Sequence, residues 1–325
     1  MHVLITGGAG FLGQRLARRL LALGALKDGQ GRLRPIERLT LLDVVAAPDF
    51  GDPRVRVVSG DIAQPQVIEA AVDAQTGSVF HLAAIVSSQA EADFDLGMRI
   101  NVDAFRLLLE TCRRCGHGPK LVFTSSVAVY GGTLPALVLD DTALSPRSSY
   151  GVQKAIGELL LADFSRRGFV DGRGLRLPTI SVRPGRPNQA ASSFASGIIR
   201  EPLHGEESVC PVRPDTRLWL LSPQQAVENL VLAHELPAAA FDGARIVNLP
   251  GTSVSVAEML AALGRVAGDE VLRRVRWQED ATIQRIVGGW PAAWDATRAL
   301  GLGFGSDADF ESIIRAFIAE EQARR

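Results

Sequence analysis

The run Thr6-Gly7-Gly8-Ala9-Gly10-Phe11-Leu12-Gly13 joins a short apolar segment, His2–Thr6, to a stretch of helical spacing, Phe11–Leu23. No other feature constrains the fold so strongly. Glycines at 7, 10 and 13 let the backbone turn tightly and approach a pyrophosphate, whose charge is favoured at a helix N-terminus. Between a strand and a helix, this spacing is a dinucleotide-binding fingerprint rather than a simple turn.

The chain then alternates. In the first helix Leu12, Leu16, Leu20 and Leu23 fall near one face and Arg15, Arg18 and Arg19 on the other, with Gly24 as its stop. Residues 27–37 are polar and broken by Pro35, which predicts a loop. Strands are expected at Arg38–Asp43, 55–58, 78–82, 120–125 and 175–182, and helices at 65–74, 95–115 and Ser149–Arg166. Ile156, Leu159, Leu160 and Phe164 supply the expected buried face of the last helix. Such alternation predicts an α/β fold with a doubly wound parallel sheet, which binds ligands outside the carboxyl ends of its strands. After Arg183 prolines punctuate short segments. A helix at 224–234 and a strand at 245–249 return to the sheet, and 256–266 and 307–322 belong to a smaller, mainly helical C-terminal lobe. The expected division is a dinucleotide-binding domain at 1–182, with returns near 217–250, and a substrate-binding lobe at 183–325.

Thirty-five basic against 36 acidic residues argue against nucleic acid or an anionic membrane as partner. No stretch approaches the ~20 apolar residues of a membrane span. Met1-His2-Val3-Leu4-Ile5 passes straight into glycines, without a signal-type run, so a cytoplasmic location is expected. Cys112 and Cys115 have redox-motif spacing, but no second pair or paired histidine lies near them. They read as structural residues, and no metal site is expected.

Asp43 ends the second strand, where a carboxylate binds the adenosine ribose and repels a 2′-phosphate; NAD is therefore expected over NADP. Gly60-Asp61-Ile62 is placed to meet the adenine edge. Leu82, Ala83 and Ala84 close the fourth strand with side chains that let the cofactor approach. His81, alone in an apolar strand, reads as a packed residue. Tyr150 and Lys154, four apart at a helix start, project from one face, so the ammonium can lower the phenol's pKa. Ser126 ends the strand before them. A phenol tuned in this way can take a hydroxyl proton while the adjacent carbon yields hydride.

These motifs, with Asn101 and Arg183-Pro184-Gly185, resemble the extended branch of the short-chain dehydrogenase/reductase superfamily, which includes nucleotide-sugar epimerases and dehydratases. The resemblance implies a Rossmann-type fold binding NAD through Gly7, Gly10, Phe11, Leu12, Gly13, Asp43, Asp61, Ile62, Leu82, Ala83, Ala84, Ser125, Tyr150, Lys154 and Pro184. It implies Tyr150 as general base, Lys154 as its electrostatic partner, and Ser126 as the group orienting the substrate oxygen. Asn101 would support Lys154 through a water. Homodimers in this branch pack two helices per subunit, here 95–115 and Ser149–Arg166.

Within the branch, the segments 123–131, 149–158 and 182–200 are most similar to D-erythronate dehydrogenases, enzymes of four-carbon acid-sugar breakdown. Val127-Ala128 stands where dehydratases carry adjacent carboxylates, and Ser222-Pro223-Gln224 replaces an acidic pair of nucleotide-sugar enzymes. A small anionic substrate fits better, with Ser87, Ser126, Tyr150, Arg183, Asn188, Ser193, Arg200 and Arg217 as candidates to bind it. The alternatives are a nucleotide-sugar 4-epimerase and a non-catalytic NAD-binding regulator.

Overall fold

The computed structural model describes every residue except 186, 188, 189, 324 and 325. Seven parallel strands form the main sheet: β1 (His2–Thr6), β2 (Arg38–Asp43), β3 (Val55–Ser59), β4 (Thr76–His81), β5 (Lys120–Ser126), β6 (Asp171–Leu177) and β7 (Ile246–Asn248). Their order is β7-β6-β5-β4-β1-β2-β3, so the direction of winding reverses between β1 and β4. Thr6 lies opposite both Leu42 and His81, and His81 opposite Phe123. The carboxyl ends are thus nearly level around the reversal point, where a ligand crevice forms.

The principal helices are α1 (Phe11–Leu23), α2 (Pro65–Ala71), α3 (Ala104–Cys115), α4 (Ser149–Arg166), α5 (Phe194–Leu203), α6 (Pro223–Glu235), α7 (Val256–Ala267), α8 (Ala281–Gly288) and α9 (Phe310–Ala323). Strand alternation sends Val3 and Ile5 into a core with α1 and α6, and Leu4 into one with α2, α3 and α4. A third core draws only on residues from Val182 onward, mainly from α5, α7 and α9.

Several local expectations are corrected. Residues 27–37 are not an open loop: Ala25–Lys27 and Leu33–Pro35 pair as a hairpin, anchored by the buried Leu26. The 95–115 segment is not one regular helix. A π-helical turn, Met98–Asp103, precedes α3 and carries Asn101. β6 begins earlier than its apolar signal, because Arg173 is buried with the Asp171 carboxylate inside the fold. The C-terminal part also holds small sheets, Thr179–Ile180 with Arg217–Leu221 and Thr252–Ser255, and Ser208–Cys210 with Val275–Trp277.

The buried face of α4 is the largest departure. Leu159 is 69% exposed, whereas Lys154, Gly157, Glu158 and Leu161 are buried. A Cβ on Gly157 would lie 2.7 Å from the Phe123 ring, so the glycine allows α4 to sit close on β5. That rotation commits the helix face to polar groups at the strand ends and leaves apolar Leu159 outside.

Candidate active site

The turn from β1 to α1 is shaped for close backbone approach. Gly7 has φ +72°, and a Cβ there would lie 2.8 Å from the Ala83 amide nitrogen; one on Gly13 would lie 2.2 Å from the Gly7 oxygen. Gly10 caps α1 without a side-chain bond, so the first amides of the helix meet the cleft unscreened. Asp43 closes β2, and its Oδ2 accepts from the Ala9 N–H at 3.0 Å.

These groups border a cleft of about 480 Å³ that runs over the carboxyl ends of the sheet. Phe11, Leu12, Ile62, Leu82, Ala83 and Ala84 also line it. Asp61 lines it too, paired at 2.5 Å with Arg99, a wall residue with no motif to announce it. A glycine cradle that any Cβ would fill, open helix amides and a carboxylate at the ribose position together fit NAD.

At the other end of the cleft, α4 and β5 bring Tyr150, Lys154, Ser125 and Ser126 together. Ser148 starts the helix by accepting from the Gly151 N–H at 3.2 Å, which places Tyr150 in the first turn. Lys154 Nζ donates to the Thr124 carbonyl at 2.8 Å and lies 4.8 Å from the Phe123 ring centre. Burial pushes the Tyr150 phenol up to about 12, opposed by a hydrogen bond with Ser126 and by the Arg183 charge. Burial also pulls the Lys154 ammonium down to about 7, opposed by the Glu158 carboxylate. A protonated phenol therefore sits beside an amine that exchanges its proton near neutrality.

The cost of burying Lys154 has a pH signature. Below about pH 7 the folded chain holds the ammonium out of water; from there up to 10.5 the unfolded chain binds the extra proton, so stability rises with pH. Lys154→Met is expected to raise the melting temperature below pH 7 by roughly 5 °C or more. The gain should shrink toward pH 10.5, and a gain that is constant with pH would refute the account.

Asn101 bonds directly to the loop after β4 and to Gln153. Its Oδ1 accepts from the Ile85 N–H at 2.8 Å, and its Nδ2 donates to the Ile85 carbonyl at 3.0 Å and to Gln153 Oε1 at 2.7 Å. It ties the loop after β4 to α4, and the π-turn aims it there. His81 is packed: it bonds Thr6 Oγ1 at 2.7 Å and stacks on Phe105, and burial pulls it down to about 3, with Lys154 adding to the shift. Cys112 and Cys115 are free thiols, and no metal-binding cluster of three occurs among the described residues.

Of the candidate substrate residues, Ser87, Ser126, Tyr150 and Arg183 line the cleft. Arg183 donates from Nε to the Ile180 carbonyl at 3.0 Å and from Nη2 to Ser192 Oγ at 2.7 Å. Burial lowers it to about 10, with Tyr150 opposing and Arg200 adding, so it is a cation at neutral pH. Ser87 Oγ accepts from the Ala191 N–H at 2.9 Å. Arg200 stands behind the wall, donating to the Arg183 carbonyl at 2.7 Å and paired with Glu201. Arg217 is on the surface, 3.2 Å from Glu258. Neither Ser193, at the start of α5, nor Pro184 borders the cleft. Asn188 lies outside the described residues. Sequence reasoning missed Ser192 and Trp290. Ser192 adjoins the nominated Ser193, one position out of register, whereas nothing local to Trp290 signals its role.

The sequence profile of the NAD dependent epimerase/dehydratase family matches residues 3–224. A D-erythronate dehydrogenase of Cupriavidus necator is 65% identical over 321 residues, covering 98% of each chain. The D-erythronate dehydrogenase of Haemophilus influenzae is 48% identical, covering 98% of this chain and 99% of its own. The crystal structure of a nucleoside-diphosphate-sugar epimerase from Agrobacterium tumefaciens superposes with a TM-score of 0.92 at 43% identity, over 99% of this chain and 95% of that one.

Proposed function

We propose that this chain, which belongs to the NAD dependent epimerase/dehydratase family, oxidises the C2 hydroxyl of D-erythronate to give 2-dehydro-D-erythronate. It is an NAD-dependent oxidoreductase, and the Cupriavidus and Haemophilus relatives, similar to it over nearly their whole length, are both D-erythronate dehydrogenases. The observation that carries the substrate reading is Arg183, a half-buried cation beside Tyr150 in the cleft wall. A carboxylate next to the reacting carbon needs such a partner.

Ser126 orients the substrate hydroxyl and Tyr150 Oη takes its proton, while Lys154 stabilises the phenolate as it forms. The chemistry NAD supplies when bound is acceptance of the hydride. Gly7, Gly10 and Gly13 hold the pyrophosphate, and Asp43 the adenosine ribose. Asp43→Asn is expected to raise kcat/KM with NADP about tenfold relative to NAD; an unchanged ratio would remove Asp43 from cofactor selection.

The Agrobacterium structure favours a second reading as a nucleotide-sugar epimerase. Following NADH absorbance across a panel of four- to six-carbon sugar acids, alongside UDP-hexose interconversion, separates the two. Epimerisation without sugar-acid oxidation sinks the dehydrogenase. The same panel addresses a non-catalytic regulator, which would bind NAD and turn over nothing.

The division near residue 182, a homodimer and a cytoplasmic location complete the proposal. Val152, Ile156 and Leu159 form an apolar stripe along α4 at helical spacing, with Val152 and Leu159 exposed, and such a stripe suits a helix from a second subunit. A monomer in sedimentation equilibrium would reject the dimer. Among the described residues, no helix is long and apolar enough to cross a membrane. Cell fractionation tests the location.

A further inference from the structure

Tyr150, Lys154 and Glu158 follow one another at four-residue intervals on α4, so they share a face. Each reaches the end of β5. Tyr150 is hydrogen-bonded with Ser126, Lys154 Nζ donates to the Thr124 carbonyl at 2.8 Å, and Ser125 Oγ donates to Glu158 Oε1 at 2.5 Å. The third contact is the one clamped from behind. Arg176 of β6 grips Glu158 with two bonds, Nε to Oε1 at 2.9 Å and Nη2 to Oε2 at 2.7 Å. Its Nη1 donates to Tyr130 Oη at 2.5 Å, and Tyr130 in turn donates to Asn248 Oδ1 at 3.0 Å.

Glu158 is 3% exposed and Arg176 7%. A buried ion pair adds little net stability, because desolvating two charges offsets most of their attraction. A pair of this kind adjoining the reacting groups, with a third bond to a residue in the cleft wall, therefore calls for a role beyond holding the fold together. We propose that Glu158 is a positioning residue for the oxidation assigned above: clamped by Arg176, it fixes the register of α4 on β5 and places a negative charge behind Lys154. The inference rests on that reading of Tyr150 and Lys154.

The charges around Lys154 support this role. On its own helix it meets Tyr150 and Glu158; from β4 it meets His81, which burial keeps neutral; from β5 it meets a carbonyl and a ring. Arg176 faces it from β6 through Glu158, and Arg183 faces Tyr150. Among these groups Glu158 is the carboxylate. Removing its charge makes the surroundings more positive, so Lys154 and Tyr150 both release protons at lower pH. Lys154, one turn away, feels this more than Tyr150, two turns away. The state with neutral Lys154 and protonated Tyr150 then gains over the productive one with the charges separated.

Glu158→Gln is expected to move the rising limb of the kcat/KM profile for sugar-acid oxidation to lower pH by ~0.5–1 unit. Its plateau kcat should fall about tenfold or more, with NADH affinity by fluorescence titration changed less than about threefold. Glu158→Asp keeps the charge, so the limb should stay in place while kcat falls. Ser125→Ala cuts the third contact without disturbing the ion pair, and should lower kcat about threefold with no shift of the limb. The proposal is overturned if Glu158→Gln leaves the limb where it was, or, should that variant not fold, if Ser125→Ala turns over like the wild type. A wild-type protein inactive on every sugar acid would overturn instead the assigned reaction, with Glu158 still open to test on the epimerase reaction.

Discussion

Tyr150→Phe is expected to lower kcat for sugar-acid oxidation by about 10³–10⁴-fold, at the upper end of what a positioned acid–base group contributes. The ring stays, so packing in the cleft and the contact with Lys154, 5.7 Å from the ring centre, are kept. What goes is the oxygen that bonds with Ser126 and that we propose takes the substrate proton. Neither neighbour can replace it. Ser126 is an alcohol without a base of its own, and Lys154 Nζ is held on the Thr124 carbonyl. NADH affinity, read by fluorescence titration, should change less than about threefold, because the cradle of Gly7, Gly10 and Gly13 lies at the far end of the cleft. Oxidation within tenfold of wild type would remove Tyr150 as the base.

The second large effect is at Arg183. Arg183→Met should raise KM for the sugar acid by about 10²-fold or more, since bonds between charged groups contribute about 1.5–3 kcal/mol each. Arg183→Lys keeps the charge but not the planar fork, and should recover only part of the loss. Because the guanidinium also bonds Ser192 and the Ile180 carbonyl, the change could disturb the wall itself. Two readouts separate these effects. Added guanidinium ion should partly restore turnover in Arg183→Met, and NADH affinity should be retained. A normal KM in this variant would place the carboxylate elsewhere.

Elements that obey one local rule were legible in the sequence. The fingerprint between β1 and α1, Asp43 at the end of β2, and the pairing of Tyr150 with Lys154 are all short-range patterns. Their positions in the fold follow from the strand–helix alternation. Patterns that depend on which face meets which neighbour were read less well. Periodicity put Leu159 in the core, yet the close approach at Gly157 turned α4 so that Glu158 went in and Leu159 came out. β6 starts before its apolar signal because Arg173 looks like a surface residue until its carboxylate partner is known.

The substrate end of the cleft shows the same divide. Five arginine, asparagine and serine side chains after strand β6 have chemistry that suits a carboxylate, and such residues are interchangeable in a sequence. Folding separates them: Arg183 reaches the wall, Arg200 buttresses it, and Arg217 turns to Glu258 on the surface. Trp290 arrives from beyond α8 with no local signal at all.

By itself, then, the sequence determined a dinucleotide fold and the placing of a phenol and an ammonium on one helix face at the cleft, since glycine geometry and helical spacing are local constraints. Only the tertiary structure decided which cation faces that pair and which carboxylate stands behind it. Both choices depend on elements far apart in the chain packing together.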